Sequence, residues 1–272
     1  MQAQTGFAPI NGAQIYYEVA GAGQPMILLH AGVADGRMWD DQFDEFAQRY
    51  RVVRFDWRGF GRTAMPSSPF GFHDDVAGML EFLEMDSAIV VAISFGGMVA
   101  LDFALTYPEK VAALVLGAPS IGGEMPTERI RQFWREENAA MERGDLDTAV
   151  ELNLQLWVDG IHRQPDEVDT AVRTKVGQMQ REIFQMDIPD DVEEVEIEPE
   201  AYGRLAEISA PTLVLVGDLD LPEKVEQSAW LADQLANAQY AVIPGVAHML
   251  NMERPAQFNQ LVLDFLEDLP PT

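Results

Sequence analysis

Ser94 is the residue of this sequence whose surroundings point most clearly to chemistry. It follows a continuous apolar run, 88–93, that is typical of a strand buried on both faces, and a helical stretch begins directly after it. A serine on such a sharp strand-to-helix turn adopts a strained backbone conformation and requires small residues two positions away on either side. Ala92 and Gly96 occupy those positions. The pattern predicts a nucleophile at a helix N-terminus, whose free N–H groups can stabilise the oxyanion that develops on the substrate.

A serine nucleophile requires a general base, and the chain has four histidines. His248 follows the last predicted strand, so it lies at the same sheet edge as Ser94 if the strands are parallel. His73 and His162 fall in helical segments that we expect to be exposed, and His30 ends a strand as a buried, hydrogen-bonded support. These positions predict His248 as the base.

An acid must orient the base and stabilise its protonated form. Asp218 and Asp220 both follow the strand that precedes the strand of His248. Either carboxylate can serve, and Asp220 is preferred because Asp218 lies closer to the strand end. The chain order is therefore serine, aspartate, histidine.

The composition limits the possible partners and cofactors. The 272-residue chain has no cysteine and a formal net charge of −27, which disfavours nucleic acid and anionic membranes. No apolar run is long enough to span a bilayer, and the N-terminus shows no secretory signal. We therefore expect a cytoplasmic protein that acts on a small molecule without a metal or other cofactor; the sequence does not predict an oligomeric state.

Short apolar runs alternate with amphipathic stretches in both halves of the chain, as in a mostly parallel sheet flanked by helices. An Asn11-Gly12 turn predicts an antiparallel hairpin at the start. The predicted strands span residues 15–19, 26–30, 52–56, 88–93, 111–116, 212–216 and 239–243.

The alternation stops between residues 120 and 206, where the sequence is helical and acidic. Helices are predicted over 128–143, 146–158 and 167–186, followed by an acidic connector. The sequence therefore predicts an α/β core over 1–119 and 207–272, with a helical cap inserted over 120–206.

The motifs together resemble the α/β-hydrolase superfamily, and within it the bacterial esterase, enol-lactonase and haloperoxidase-like branch. The similarity rests on Ser94 in A-I-S-F-G-G, Asp220 in G-D-L-D, His248 in G-V-A-H and the segment 56–62, D-W-R-G-F-G-R. It covers nearly the whole chain outside the insertion. We interpret segment 56–62 as structural, a turn held by contacts of Arg58.

The resemblance implies an oxyanion hole made by two backbone N–H groups. One belongs to Phe95, the residue after the nucleophile. The other belongs by position to Gly32, with Ala31 as the alternative, because His30-Ala31-Gly32 departs from the family's usual His-Gly pair.

Candidate pocket walls flank these positions. We predict that Val33, Trp157 and Met249 contact the substrate. The insertion also carries aromatic and methionine side chains that either line a pocket or pack the cap on the core: Phe133, Trp134, Met141 and Trp157.

These residues predict a serine hydrolase that cleaves a small, mostly apolar carboxylic ester or lactone through an acyl-enzyme on Ser94. Two alternatives stay open. The same triad can perform carbon–carbon bond hydrolysis or perhydrolysis, and some members of this superfamily only bind ligands.

Overall fold

The computed structural model describes residues 3–269, and its centre is one eight-stranded sheet. The strands are β1 (Gln4–Ile10), β2 (Ala13–Gly21), β3 (Pro25–Leu29), β4 (Arg51–Phe55), β5 (Ala88–Ile93), β6 (Val111–Gly117), β7 (Thr212–Gly217) and β8 (Ala238–Ile243). Their spatial order is β1-β2-β4-β3-β5-β6-β7-β8.

The first two strands form the predicted hairpin. Ile10 pairs with Ala13 across a two-residue turn in which Asn11 and Gly12 both have positive φ, 45° and 82°. Such a turn matches the twist of the two strands it joins. The hairpin pairs with the rest of the sheet through an antiparallel contact between β2 and β4.

The other six strands, β3 to β8, are parallel. Every residue of β5 and of β7 is buried, because helices cover both faces of the sheet. Val90 and Ala92 belong to the core on one face, whereas Val91 and Ile93 belong to the core on the other. The carboxyl ends of these strands meet at one edge, which is where polar side chains collect. The predicted α/β fold with a mostly parallel sheet is confirmed.

Helices connect the strands. They are α1 (Asp40–Phe46), α2 (Phe72–Phe82), α3 (Phe95–Thr106), α4 (Glu128–Glu142), α5 (Leu146–Asn153), α6 (Thr170–Phe184), α7 (Pro222–Gln234), α8 (Leu250–Glu253) and α9 (Pro255–Glu267). No helix within residues 3–269 is long and apolar enough to cross a membrane.

Helices α4 to α6 lie between β6 and β7 in the chain. The helix predicted over 146–158 is divided: α5 ends at Asn153, and a π-helical turn, Leu154–Asp159, follows it. The Asn153 amide donates to the Ala149 carbonyl oxygen at 3.0 Å, a side-chain bond that competes with the backbone pattern of a helix. The division of the chain into a core (1–119 and 207–272) and a cap (120–206) stays a prediction.

Segment 56–62 is structural, as predicted, but Arg58 contributes only part of its support. The Asp56 carboxylate accepts the backbone N–H of Gly36 at 2.8 Å and that of Arg62 at 2.9 Å, which closes the turn. The fully buried Arg58 leaves the turn and forms a two-bond ion pair with Asp75 of α2, at 2.6 and 2.8 Å. The segment thus ties the sheet to helix α2.

Candidate active site

Ser94 stands alone between β5 and α3, in the strained conformation that a nucleophile turn requires. Its φ is 57° and its ψ is −117°, values that a residue with a side chain rarely adopts. The turn is fixed by its backbone, because the Ser94 N–H donates to the Gly117 carbonyl oxygen at 2.9 Å. The side chain makes no capping bond to α3 and lines a cavity.

Glycines after the serine allow helix α3 to lie close to its neighbours. A Cβ at Gly96 would lie 2.7 Å from the carbonyl oxygen of His30, and one at Gly97 would lie 2.5 Å from Cβ of Pro119. The first of these neighbours is a backbone atom and the second belongs to a proline ring, so a larger residue at either position would push the helix away. The small residues are therefore required by packing as well as by the conformation of Ser94.

His248 and Asp220 form a buried pair at the same edge of the sheet. His248 Nδ1 lies 2.7 Å from Asp220 Oδ2, and both side chains are only 1% exposed. The other carboxylate oxygen accepts the Leu221 N–H at 2.7 Å. An ionised carboxylate has no proton to donate, so Nδ1 carries the ring proton and Nε2 is left as the basic nitrogen.

The structure brings Asp220, and not Asp218, to the histidine. Asp218 is exposed, and its carboxylate accepts the Gly245 N–H at 2.6 Å. His248 Nε2 is buried with no hydrogen-bond partner among residues 3–269. A hydrogen bond between a catalytic base and its nucleophile frequently tightens only when substrate is bound.

The other histidines occupy different surroundings. His30 is a buried support, as predicted: its Nε2 accepts the Trp57 N–H at 3.0 Å, and burial lowers its pKa to about 4. His162 is exposed, as expected. The expected exposure of His73 is wrong. This residue is buried in the first turn of α2, and the His73 ring lies against Gly71.

Two backbone N–H groups near Ser94 have no hydrogen-bond acceptor in the described part of the chain. Neither Phe95 nor Gly32 donates its N–H to a residue within 3–269. The two lie side by side, since a Cβ built on Gly32 would be 3.5 Å from Cβ of Phe95. The N–H of Ala31 is directed elsewhere, to Sδ of Met38 at 3.2 Å. This geometry favours Gly32 over Ala31 as the second oxyanion donor.

Ser94 opens into a cavity of about 300 Å³ that has an apolar wall and a polar end. The apolar wall is formed by Phe95, Met98, Ile121, Ile130, Trp134 and Trp157. The polar end is formed by Ser120, Glu124, Glu223, Lys224 and Gln227.

Only one of the three predicted substrate contacts lines this cavity. Trp157, on the π-helical turn, lines it and lies against the His248 ring, with 4.7 Å between the ring centres. Val33 and Met249 pack in the core instead, and Met249 is fully buried. Direct substrate contact by Val33 or Met249 would need a space other than this cavity, and it stays a prediction.

The aromatic residues of α4 divide between the two roles considered for them. Trp134 is 46% exposed and lines the cavity, whereas Phe133 is buried and packs edge-on against Trp157. Met141, near the end of the same helix, is half-buried and does not line the cavity.

The polar end of the cavity was missed by the sequence analysis, and its centre is Lys224. This lysine is 8% exposed, and burial lowers its pKa. A signal was available: Lys224 lies in the first turn of α7, where the helix dipole disfavours a cation.

The described part of the chain contains no group of three or more His, Cys, Asp or Glu side chains arranged to hold a metal ion. The absence of a cofactor, predicted from sequence, stays a prediction.

The mostly parallel sheet with helices on both faces defines an α/β protein, and the strained Ser94 and the buried Asp220–His248 pair form its candidate site. A family model described as alpha/beta hydrolase fold matches residues 24–255. The chain belongs to this family.

Similar proteins include several kinds of hydrolase. A 2-hydroxy-6-oxononadienedioate/2-hydroxy-6-oxononatrienedioate hydrolase of Paraburkholderia phymatum is 30% identical, over 93% of this chain and 91% of its own length. A putative non-heme chloroperoxidase of Synechocystis sp. is 27% identical, over 93% and 95%. The solved structure of Est816, described as an N-acyl homoserine lactone degrading enzyme, is 27% identical with a TM-score of 0.75, over 95% of this chain and 99% of that one. The predicted esterase, lactonase and haloperoxidase-like branch is confirmed.

Proposed function

We propose that this hydrolase cleaves a small, mostly apolar carboxylic ester or lactone through an acyl-enzyme on Ser94. The observation that carries the proposal is the strained, cavity-facing Ser94 at the same sheet edge as the buried Asp220–His248 pair. A serine is activated when an adjacent base takes its proton, and the base is effective when an acid fixes its tautomer.

The proposed reaction has two halves. His248 Nε2 takes the proton of Ser94 Oγ as this oxygen attacks the acyl carbonyl, and the N–H groups of Phe95 and Gly32 stabilise the oxyanion. The protonated His248 then donates its proton to the leaving alcohol. Water repeats the cycle on the acyl-enzyme and releases a carboxylic acid.

The cavity supports a substrate of modest size. Its volume is about 300 Å³, at the lower limit of small-molecule pockets, and the wall beside Ser94 is aromatic and aliphatic. Trp157 connects this wall to the His248 ring, so an acyl or alcohol group on the wall lies next to the base.

Carbon–carbon bond hydrolysis is the second candidate, because the relative from Paraburkholderia phymatum is named for a dienedioate substrate. Perhydrolysis and ligand binding without turnover also stay open. Product analysis separates these reactions: esters and lactones test ester hydrolysis, vinylogous diketones test carbon–carbon cleavage, and assays for peracid formation test perhydrolysis. Full biological activity of Ser94→Ala would identify a binding protein.

The partners expected from sequence stay part of this proposal. We expect a small-molecule substrate and no nucleic-acid or membrane partner, because the formal charge of −27 disfavours polyanionic surfaces. We also expect a cytoplasmic location, because the sequence has no cysteine and shows no secretory signal.

The proposal is tested by hydrolysis of p-nitrophenyl acetate through octanoate. Ser94→Ala should lose at least about a thousandfold in kcat, because the nucleophile is removed while the binding surface is kept. Ser209→Ala, a change at an exposed serine, serves as the matched control and should retain wild-type rates. Equal activity of Ser94→Ala and wild type would overturn the serine mechanism.

A further inference from the structure

Lys224 lies in the wall of the Ser94 cavity, and its ammonium forms no hydrogen bond to a carboxylate among residues 3–269. Its Nζ contacts three neutral oxygens: Oε1 of Gln227 at 2.7 Å, Oγ of Ser120 at 3.3 Å and the Pro119 carbonyl oxygen at 3.5 Å. Lys224 forms no ion pair within residues 3–269. A lysine this deeply buried is normally paired, so its presence here calls for a function.

The two glutamates at this end of the cavity are engaged by other groups. Glu223 lies 3.3 Å from Nε of Arg129 and accepts the Thr127 hydroxyl at 3.1 Å. Glu124 accepts from the Gln227 amide. Glu124, Asp220 and Glu223 thus stabilise the Lys224 charge at longer range, and the direct contacts of Lys224 stay neutral.

Ser120 fixes the distance between this polar end and the nucleophile. Its backbone N–H donates to the carbonyl oxygen of Ser94 at 3.0 Å. Its hydroxyl accepts from the Lys224 ammonium, so the hydroxyl proton is free to point into the cavity. Because Ser120 and Lys224 line the same cavity as Ser94, we infer that a substrate group that reaches them is attached near the carbonyl that Ser94 attacks.

We propose that Ser120 and Lys224 form a subsite for an uncharged substrate oxygen, so that the enzyme prefers esters or lactones with an oxo or hydroxyl group near the scissile carbonyl. This inference rests on the proposed hydrolase function. A neutral substrate oxygen accepts from the Ser120 hydroxyl and also from the Lys224 ammonium, whose third proton is otherwise directed to the Pro119 carbonyl oxygen at the long distance of 3.5 Å. A substrate carboxylate would instead meet Glu124 and Glu223 at the same end of the cavity and add to a strongly negative protein.

The test compares p-nitrophenyl 4-oxopentanoate with p-nitrophenyl pentanoate, and both with the p-nitrophenyl monoester of glutaric acid. We expect wild type to favour the oxo ester over pentanoate about tenfold in kcat/KM, the effect of one charge-assisted hydrogen bond. Lys224→Met should remove most of that preference, and Lys224→Gln, which keeps a donor, should retain part of it. Lys110→Met, remote from the cavity, is the matched control and should retain the wild-type ratio.

Ser120→Ala is an independent variant that leaves the lysine in place and should lower the preference by a smaller factor. The subsite would be overturned if the wild-type ratio of kcat/KM for the oxo ester to kcat/KM for pentanoate is near one, or if Lys224→Met leaves this ratio unchanged. A wild-type preference for the glutaric monoester that disappears in Lys224→Met would show a carboxylate site and overturn the neutral-oxygen assignment.

Calorimetric binding of the oxo ester and pentanoate to Ser94→Ala separates the subsite from the catalytic proposal. Tighter binding of the oxo ester, about tenfold, supports the subsite even if wild type turns over no ester. Equal binding of the two esters would contradict it, even if the serine mechanism holds.

Discussion

The carboxyl edge of the sheet and helices α4 to α6 keep their charged groups in different surroundings. At the sheet edge, Asp220 and His248 are 1% exposed and meet at 2.7 Å. In the helical region, ion pairs reach the surface: Lys175 with Asp40 at 2.8 Å, and Arg181 with Asp147 at 2.5 Å. Water and salt screen the surface pairs strongly and the buried Asp220–His248 pair weakly.

The difference indicates how each region is maintained. Groups at the sheet edge have one geometry because burial leaves few alternative partners, which suits reacting atoms. The surface pairs of the helical region can exchange with water at little cost, whereas the Arg163–Glu253 pair, which also joins this region to α8, is mostly buried. Removing a charged group at the sheet edge should therefore change activity or stability much more than removing one from a surface pair of the helical region.

The largest effect should come from Asp220→Asn. The amide keeps the shape of the side chain but favours the wrong tautomer of His248, so kcat for p-nitrophenyl esters should fall about 10⁴-fold. Asp218→Asn, two residues away and exposed, should change kcat by less than about threefold, within the usual effect of a surface substitution. A larger loss in Asp218→Asn than in Asp220→Asn would reverse the assignment of the acid.

Arg58→Met should come next, as an effect on stability. It removes the partner of the buried Asp75 carboxylate and should lower the free energy of unfolding by about 3–5 kcal/mol. Lys175→Met breaks a pair whose aspartate is 46% exposed, and should cost at most about 1 kcal/mol. Urea unfolding measures both, and equal losses would contradict the contrast between buried and surface pairs.

The smallest effect should come from Asp102→Asn and should depend on pH. Burial, reinforced by Glu196 and Glu194, raises the pKa of Asp102 to about 7, and its Oδ1 is buried without a partner in the described chain. A raised carboxyl pKa means that the folded state binds the proton more tightly than the unfolded state does. The stability that the folded protein gains from protonated Asp102 is complete below the usual carboxyl pKa and is lost as the pH rises through 7.

Asp102→Asn should therefore raise the Tm by about 2 °C at pH 8 and leave it unchanged at pH 4, where wild-type Asp102 is already neutral. Thermal unfolding at both pH values measures the change. Asp86→Asn, at an exposed position, controls for the loss of one charge from an acidic protein. An increase in Tm at pH 4 as large as that at pH 8 would show that the increase does not come from removing an ionised Asp102.

The part of the fold that follows local sequence rules was predictable. The Asn11-Gly12 hairpin, the continuous apolar runs of β5 and β7 and the small residue at Gly96 each depend on neighbours in the chain. The positions of Ser94, Asp220 and His248 at one sheet edge follow from the parallel order of the strands.

Other features depend on contacts between residues far apart in sequence. Asp220, not Asp218, reaches His248 because the loop after β7 buries one carboxylate and exposes the other. Val33 and Met249 flank proposed catalytic positions in the chain, yet they pack into the core. Proximity in sequence does not determine which way a side chain points in a loop.

The sequence by itself determined the parallel sheet, the strained serine turn and the order of the proposed catalytic residues, because each depends on periodicity or on backbone sterics between near neighbours. Only the tertiary structure decided which residues share the cavity. Lys224 and Ser120 are brought together by the packing of α7 against the loop after β6. Burial of a charge depends on everything that surrounds it, and that environment exists only in the folded chain.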